Sequence, residues 1–295
     1  IGNVNEAMLR EVAIEMEKAG ILLRGSREDG TLWTTLDAVK IEREILSLAT
    51  IDQGKLSPMV SDAHFSSQDL NHLRPEQRDA IKAITASRDR VISIQGRAGT
   101  GKTTMMVTLA DVLASKPLLE KEGYQLHCIA PTHKAVKELK NRGLAAQTVD
   151  SFILDAKKWS DNKTSPDFSK TVLIIDEASM VSNRNMLSVL KIGHEVNVRA
   201  IVPTGDTQQN PSIESGKPHD LIQRKLEDTT IHLEDIQRQK NDVLKEAVKA
   251  IYQNNVAKTF TALGDAIIEI NEKMMSDPSD KKLTPDELSQ KYYQK

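Results

Sequence analysis

The chain has 295 residues, room for about two ordinary domains, and its 39% apolar and 28% charged content excludes collagen, coiled coil and wholesale disorder. Forty basic residues against 42 acidic ones leave a formal charge of −2, so nucleic-acid binding would need a local groove, not a global field. The apolar run from Val172 to Ile175 falls far short of the ~20 residues of a bilayer span, and no membrane insertion is expected.

In chain order, Val4 to Gly20 spaces Met8, Val12 and Met16 about one turn apart and predicts a helix that Gly20 stops. Thr34-x-x-Asp37 resembles a capping box, and predicts a second helix through Leu36, Val39, Ile45 and Leu48 towards Gly54. Residues 57–67 are polar and small and read as a linker. Residues 1–67 are therefore expected to be a small, mostly helical and acidic N-terminal domain, with 7 basic and 12 acidic residues over positions 1–70. The likelier polyanion surface lies beyond it.

From Leu70 short β-rich runs alternate with helical patterns, which predicts an α/β fold, a parallel sheet with helices on both faces. The runs are 90–95, 125–130, 171–175, 198–204 and 230–233, several of them apolar at every position, as central strands are. Residues 155–169, with Lys157, Lys158, Asp161, Asn162, Lys163 and Pro166, read as a hydrophilic excursion. Residues 243–254 then read as helix and 266–270 as strand, and Thr284-Pro285-Asp286-Glu287 reads as a helix start. The lone Cys128 permits no internal disulfide and reads as a core residue. Because the chain opens Ile-Gly-Asn, without Met or signal peptide, a fragment of something longer is expected.

Gly96-Arg97-Ala98-Gly99-Thr100-Gly101-Lys102-Thr103 fits G-x-x-x-x-G-K-[ST] at every position, after a strand and before a helix. In such a P-loop the backbone N–H groups of Gly99 to Thr104 converge on phosphate oxygens at the positive end of the helix. Lys102 reaches the outer phosphates of ATP, and the Thr103 hydroxyl ligates Mg²⁺. The apolar strand ending at Asp176 and Glu177 supplies a Mg²⁺ carboxylate and a group to polarise the attacking water. A third strand ends in Gly205, Asp206, Gln208 and Gln209, where Gln209 is suited to sensing the γ-phosphate.

These residues, in this order, resemble a superfamily 1 helicase motor of the RecD-like group, and more closely the helicase part of the TraI-type conjugative relaxases. The resemblance is strong over residues 70–238. It implies a RecA-like ATPase domain at 68–228 and the beginning of a second RecA-like motor domain, truncated, at 229–295. It also implies that Gln77, in Leu73-Arg74-Pro75-Glu76-Gln77, reads the adenine edge. Pro131, Thr132, His133 and Lys134 resemble the first DNA-contacting motif, and Thr148, Ser151 and Phe152 the next. Arg238 resembles the residue that crosses the cleft to the γ-phosphate. No tyrosine nucleophile for a relaxase occurs in residues 1–67.

The implied function is an ATP-dependent motor on single-stranded DNA, travelling 5′-to-3′ in conjugative plasmid transfer, in the bacterial cytoplasm. A conjugative coupling protein or the secretion machinery is a further candidate partner. The alternative is a helicase-like docking or secretion-recognition module that binds single strands or a partner without unwinding.

Overall fold

The structure, a computed structural model, describes residues 5–27, 30–66, 68–97, 99–115, 123–164, 166–208, 216–233, 246, 250 and 255–263. The chain enters through α1 (Glu6–Lys18), a hairpin of β1 (Leu22–Arg27) and β2 (Gly30–Thr35), and α2 (Leu36–Thr50). There follow α3 (Asp62–Ser66), α4 (Pro75–Ala86), β3 (Ile94–Gly96), α5 (Lys102–Ala114), β4 (Gln125–Ala130), α6 (His133–Asn141), β5 (Ala146–Thr148) and α7 (Val149–Asp161). Then come β6 (Thr171–Ile175), α8 (Asn183–Glu195), β7 (Ala200–Gly205), α9 (Pro218–Lys225) and β8 (Ile231–Leu233). All of these lie in a first compact unit, Ile1–Arg238; a second unit, Gln239–Lys295, contains α10 (Val256–Leu263). Among the described residues no helix is long and apolar enough to cross a membrane.

The strands β3 to β8 make one parallel sheet in the order β5-β4-β6-β7-β3-β8. Because side chains alternate across a strand, each central strand feeds two cores. Val172, Ile174, Ala200 and Val202 pack with Ile81 and Ile84 of α4, Met105 and Leu109 of α5, and Leu139 of α6. Leu173, Ile175 and Ile201 face the other way, onto Ile45 of α2, Phe152 of α7, and Met186 and Leu190 of α8. Helices on both faces are thus a direct consequence of apolar residues at both parities.

Several expectations are corrected. The hairpin β1–β2 stands where no strand was read, and α2 is capped by Thr35, whose Oγ1 accepts the Ala38 N–H at 3.1 Å. Residues 36–60 pack against the elements that flank the parallel sheet. Ile45 is fully buried against α8, the His194 ring meets the Leu48 carbonyl at 3.0 Å, and Arg90 donates to Asp52 at 2.5 Å. Within the expected linker, Met59 and Val60 are core residues, and the Met59 N–H bonds the Thr85 carbonyl at 2.8 Å. The phosphate-loop strand is shorter than residues 90–95: Val91 makes only an isolated bridge to Ile201. Residues 155–161 continue α7, since Ala156 and Trp159 turn towards the core while Lys157 and Lys158 face solvent. β8 pairs with β3, so residues 231–233, read from the sequence as one of the parallel runs, form the edge strand of that sheet. The expected strand at 266–270 and the helix start at Thr284 lie outside the described residues.

Candidate functional site

The site is built where β3, β6 and β7 end, at the carboxyl edge of a parallel sheet. β3 runs into the loop of residues 96–101. Gly99 and Gly101 have φ of 82° and 79°, a left-handed backbone that glycine adopts without steric cost. Gly101 is the N-cap of α5, so the unbonded N–H groups and positive end of that helix open onto the loop. At Gly96 the approach is close instead: a Cβ there would sit 2.8 Å from Lys102 Cδ and would push the lysine stem aside. Lys102 curls back over the loop, its Nζ donating to the carbonyls of Gly96 at 2.5 Å and Arg97 at 3.3 Å. Thr100, 3% exposed, closes the turn by donating from Oγ1 to the Arg97 carbonyl at 2.9 Å.

Gln77 is tied to the phosphate loop. On α4 and 3% exposed, it donates from Nε2 to the carbonyls of Thr100 at 3.2 Å and Gly101 at 3.1 Å. Its Oε1 accepts the Arg74 N–H at 3.1 Å. A buried amide needs partners for both ends, and here the phosphate loop and the start of α4 supply them, leaving the amide braced against the loop, not turned to a base edge.

β6 delivers Asp176 and Glu177. The Glu177 N–H donates to Asp176 Oδ1 at 3.0 Å, and Glu177 itself sits at φ 51°, ψ 39°. For a non-glycine residue that left-handed conformation costs of order 1–3 kcal/mol and is characteristic of functional positions. Burial pushes the Asp176 carboxyl above its ordinary pKa, opposed by the Glu177 N–H and by Lys102. Glu177 is raised too, by burial first and then by the charges of Asp176 and Glu138, against Lys102 and Lys134. At the end of β7, a Cβ on Gly205 would lie 3.1 Å from the backbone nitrogens of Ala178 and Ser179, so this strand end abuts the turn that follows Glu177.

A cavity of about 200 Å³ is lined by Lys102, Thr103, Asp176, Glu177, Asp206 and Glu138, among others. On the other side of the loop a second cavity, about 300 Å³, is lined by Arg97, Lys102, Thr103, Thr104 and Arg142 with two loop glycines. One side is therefore rich in acids and the other in bases, with Lys102 and Thr103 shared. The Thr103 hydroxyl and Asp176 carboxylate are hard oxygen donors that fit Mg²⁺. Among the described residues there is no group of three or more His, Cys, Asp or Glu that could hold a metal ion.

The expected DNA-contacting residues separate into two sets. β4 and β5 are neighbours, so the starts of α6 and α7 lie side by side at one sheet edge. Thr132 caps α6 by accepting the Ala135 N–H at 3.2 Å, Pro131 is half-buried, and His133 and Lys134 are exposed. Thr148 caps α7, accepting the Ser151 N–H at 3.1 Å and bonding the Ser151 hydroxyl at 2.8 Å. Phe152 corrects the expectation. It is 1% exposed and meets Trp159 edge-on with ring centroids 6.0 Å apart, and Trp159 in turn meets Phe168 at 5.6 Å. A ring one turn past the cap points inward, and no base reaches it. Phe152→Ala is expected to cost about 3–5 kcal/mol of stability in a urea melt. Gln209 and Arg238 lie outside the described residues.

Sequence reasoning missed Glu138, Arg142 and the role of Asp206. Glu138 was visible only as part of a charged helix face, four residues after Lys134, and Asp206 as a neighbour of the amides.

The sequence profile of the AAA domain family matches residues 72–270. The chain is 32% identical over 222 residues to the multifunctional conjugation protein TraI of Escherichia coli strain K12, covering 75% of this chain and 12% of that protein. With the probable conjugal transfer protein TraA of Sinorhizobium fredii strain NGR234 it shares 30% identity over 240 residues, 79% of this chain and 20% of that one. Over 145 residues it is 33% identical to the ATP-dependent DNA helicase dda of Enterobacteria phage T4, covering 46% of this chain and 31% of that protein. The chain thus spans a fifth or less of the length of those two conjugation proteins.

Proposed function

Because the chain belongs to the AAA domain family, we propose that its first unit is the Mg-ATP-hydrolysing part of a helicase-like motor on single-stranded DNA, working 5′-to-3′ within a conjugative relaxase-helicase. The observation that carries this reading is the convergence of Lys102, Thr103, Asp176 and Glu177 on one cavity at the start of α5. The loop N–H groups and the positive end of α5 hold the β- and γ-phosphates. Thr103 and Asp176 hold Mg²⁺, which neutralises charge on the transferred phosphoryl group when bound. Lys102 exchanges the Gly96 and Arg97 carbonyls for phosphate oxygens, and Glu177 takes the proton of the attacking water. Gln209 hydrogen-bonds the terminal phosphate and Arg238 stabilises its charge at the transition state.

Single-stranded DNA runs past the starts of α6 and α7, where Thr132, His133, Lys134, Thr148 and Ser151 meet the backbone by charge and hydroxyl groups. With Phe152 buried, its ring takes no part in base stacking, and contact to the backbone makes binding sequence-tolerant.

The test is Mg-ATP hydrolysis with and without oligonucleotide. Single strands are expected to stimulate turnover. Lys134→Ala should raise the half-stimulating DNA concentration by roughly 3–10-fold and reduce the salt slope by about one. Absence of any stimulation in the wild type would favour a docking module that recognises a protein partner.

A further inference from the structure

Gln95, the residue before the first glycine of the phosphate loop, pairs in register with Gly205 of β7. Its amide is bonded at both ends to the turn that leaves β7. Nε2 donates to Asp206 Oδ1 at 3.1 Å, while Oε1 accepts the Thr207 N–H at 3.3 Å and the Thr207 hydroxyl at 3.4 Å. The same Oε1 accepts Nε2 of Gln223, on α9, at 2.9 Å. Asp206 Oδ1 also accepts the Gln208 N–H at 3.1 Å, so the turn is wound about this one amide. Behind it, Gln223 Nε2 stands 3.0 Å from Nε2 of His219, which is 1% exposed. An imidazole that accepts there is neutral, and burial pushes the His219 pKa down to about 4.

Gln95 therefore links two residues that line the acid-rich cavity. One residue on, the Gly96 carbonyl holds Lys102 Nζ; one hydrogen bond away is Asp206, 1% exposed and also in the cavity lining. We propose that Gln95 is a positioning residue for phosphoryl transfer, clamping the β7 turn to the phosphate loop so that Asp206 and the residues after it keep register with Lys102. This rests on the Mg-ATP-hydrolysing reading of the site. The clamp joins residues 111 and 128 positions apart in sequence. It offers the phosphate loop a direct mechanical link to the turn that precedes Gln209.

The test uses the full 295-residue chain as wild type, Gln95→Ala, Gln95→Glu, Gln223→Ala and the Gln95→Ala/Gln223→Ala double variant. Each is measured by steady-state Mg-ATP hydrolysis, binding of a fluorescent ATP analogue and thermal melting. Gln95→Ala is expected to lower kcat about 10-fold or more, as misplacement by a fraction of an ångström does. KM and analogue binding should stay within about threefold, the signature of a contact that matters chiefly in the transition state. Gln95→Glu preserves volume yet sets a carboxylate against Asp206, and should lose more than Gln95→Ala, the reverse of what simple space-filling gives. Gln223→Ala should lower kcat about threefold alone and add almost nothing in the Gln95→Ala background, because both act through one amide. If Gln95→Ala does not fold, Gln223→Ala carries the test, and a wild-type kcat for it overturns the proposal. A folded Gln95→Ala with wild-type kcat, a Gln95→Glu as active as wild type, or additive losses overturn it as well. Were the wild type itself unable to hydrolyse Mg-ATP, the reading of the site would fall and the clamp with it; an active wild type matched by Gln95→Ala sinks the clamp alone.

Discussion

Lys102→Ala is expected to abolish Mg-ATP hydrolysis, with turnover reduced by about 10²–10³-fold or more, since removing one preorganised charge from a water-poor site costs that much. The ammonium that would leave the Gly96 and Arg97 carbonyls to meet the outer phosphates is gone. Lys102 also holds down the pKa values of Asp176 and Glu177, both already raised by burial, so its loss pushes both acids further towards their protonated, inert forms. The substitution thus weakens the phosphate grip and disarms the carboxylates together. Phosphate release and analogue binding should both collapse while the melting temperature hardly moves, because Lys102 contributes no apolar core packing. Wild-type phosphate release from this variant would refute the site.

What could be read from the sequence was what is local. The phosphate loop is eight consecutive residues that fit one motif, and Gly99 and Gly101 take up the left-handed backbone that its glycines allow. The sheet was legible because residues 172–175 are apolar at both parities, which only a strand covered on two sides tolerates. What escaped depends on distant partners. Nothing near Ile45 says that its helix lies on α8, and nothing near Gln95 says that its amide will be held by residues more than a hundred positions downstream. Phe152 and Gln77 lie beside motifs that suggest ligand contacts, and the fold gives both of them partners of its own. For Phe152 the phase of α7 past its Thr148 cap turns the ring inward; for Gln77 the loop carbonyls claim the amide first. Residues 155–161 looked like a polar loop because half of an amphipathic helix is polar by construction.

Glu177→Gln separates binding from chemistry, which Lys102→Ala does not. The substitution is nearly isosteric and leaves in place the backbone N–H that donates to Asp176 Oδ1 at 3.0 Å, so the metal carboxylate keeps its orientation. The left-handed backbone at φ 51° is also unchanged, because Gln meets the same steric limits as Glu. What is lost is the proposed proton acceptor, whose pKa is raised by burial and by the neighbouring charges of Asp176 and Glu138 against the opposing charges of Lys102 and Lys134, a shift that strengthens it as a base. Turnover should therefore drop about 10²–10⁴-fold, the usual contribution of a general base. Affinity for the ATP analogue should stay within about threefold of wild type. In binding with a fluorescent single strand, the variant loaded with ATP should remain in the ATP-bound affinity state about 10²–10⁴-fold longer than wild type, which decays to the ADP-bound one as it hydrolyses. A Gln variant that turns over at the wild-type rate would assign the base elsewhere on the cavity wall, and Asp206 and Glu138 are the two carboxylates positioned to take that place.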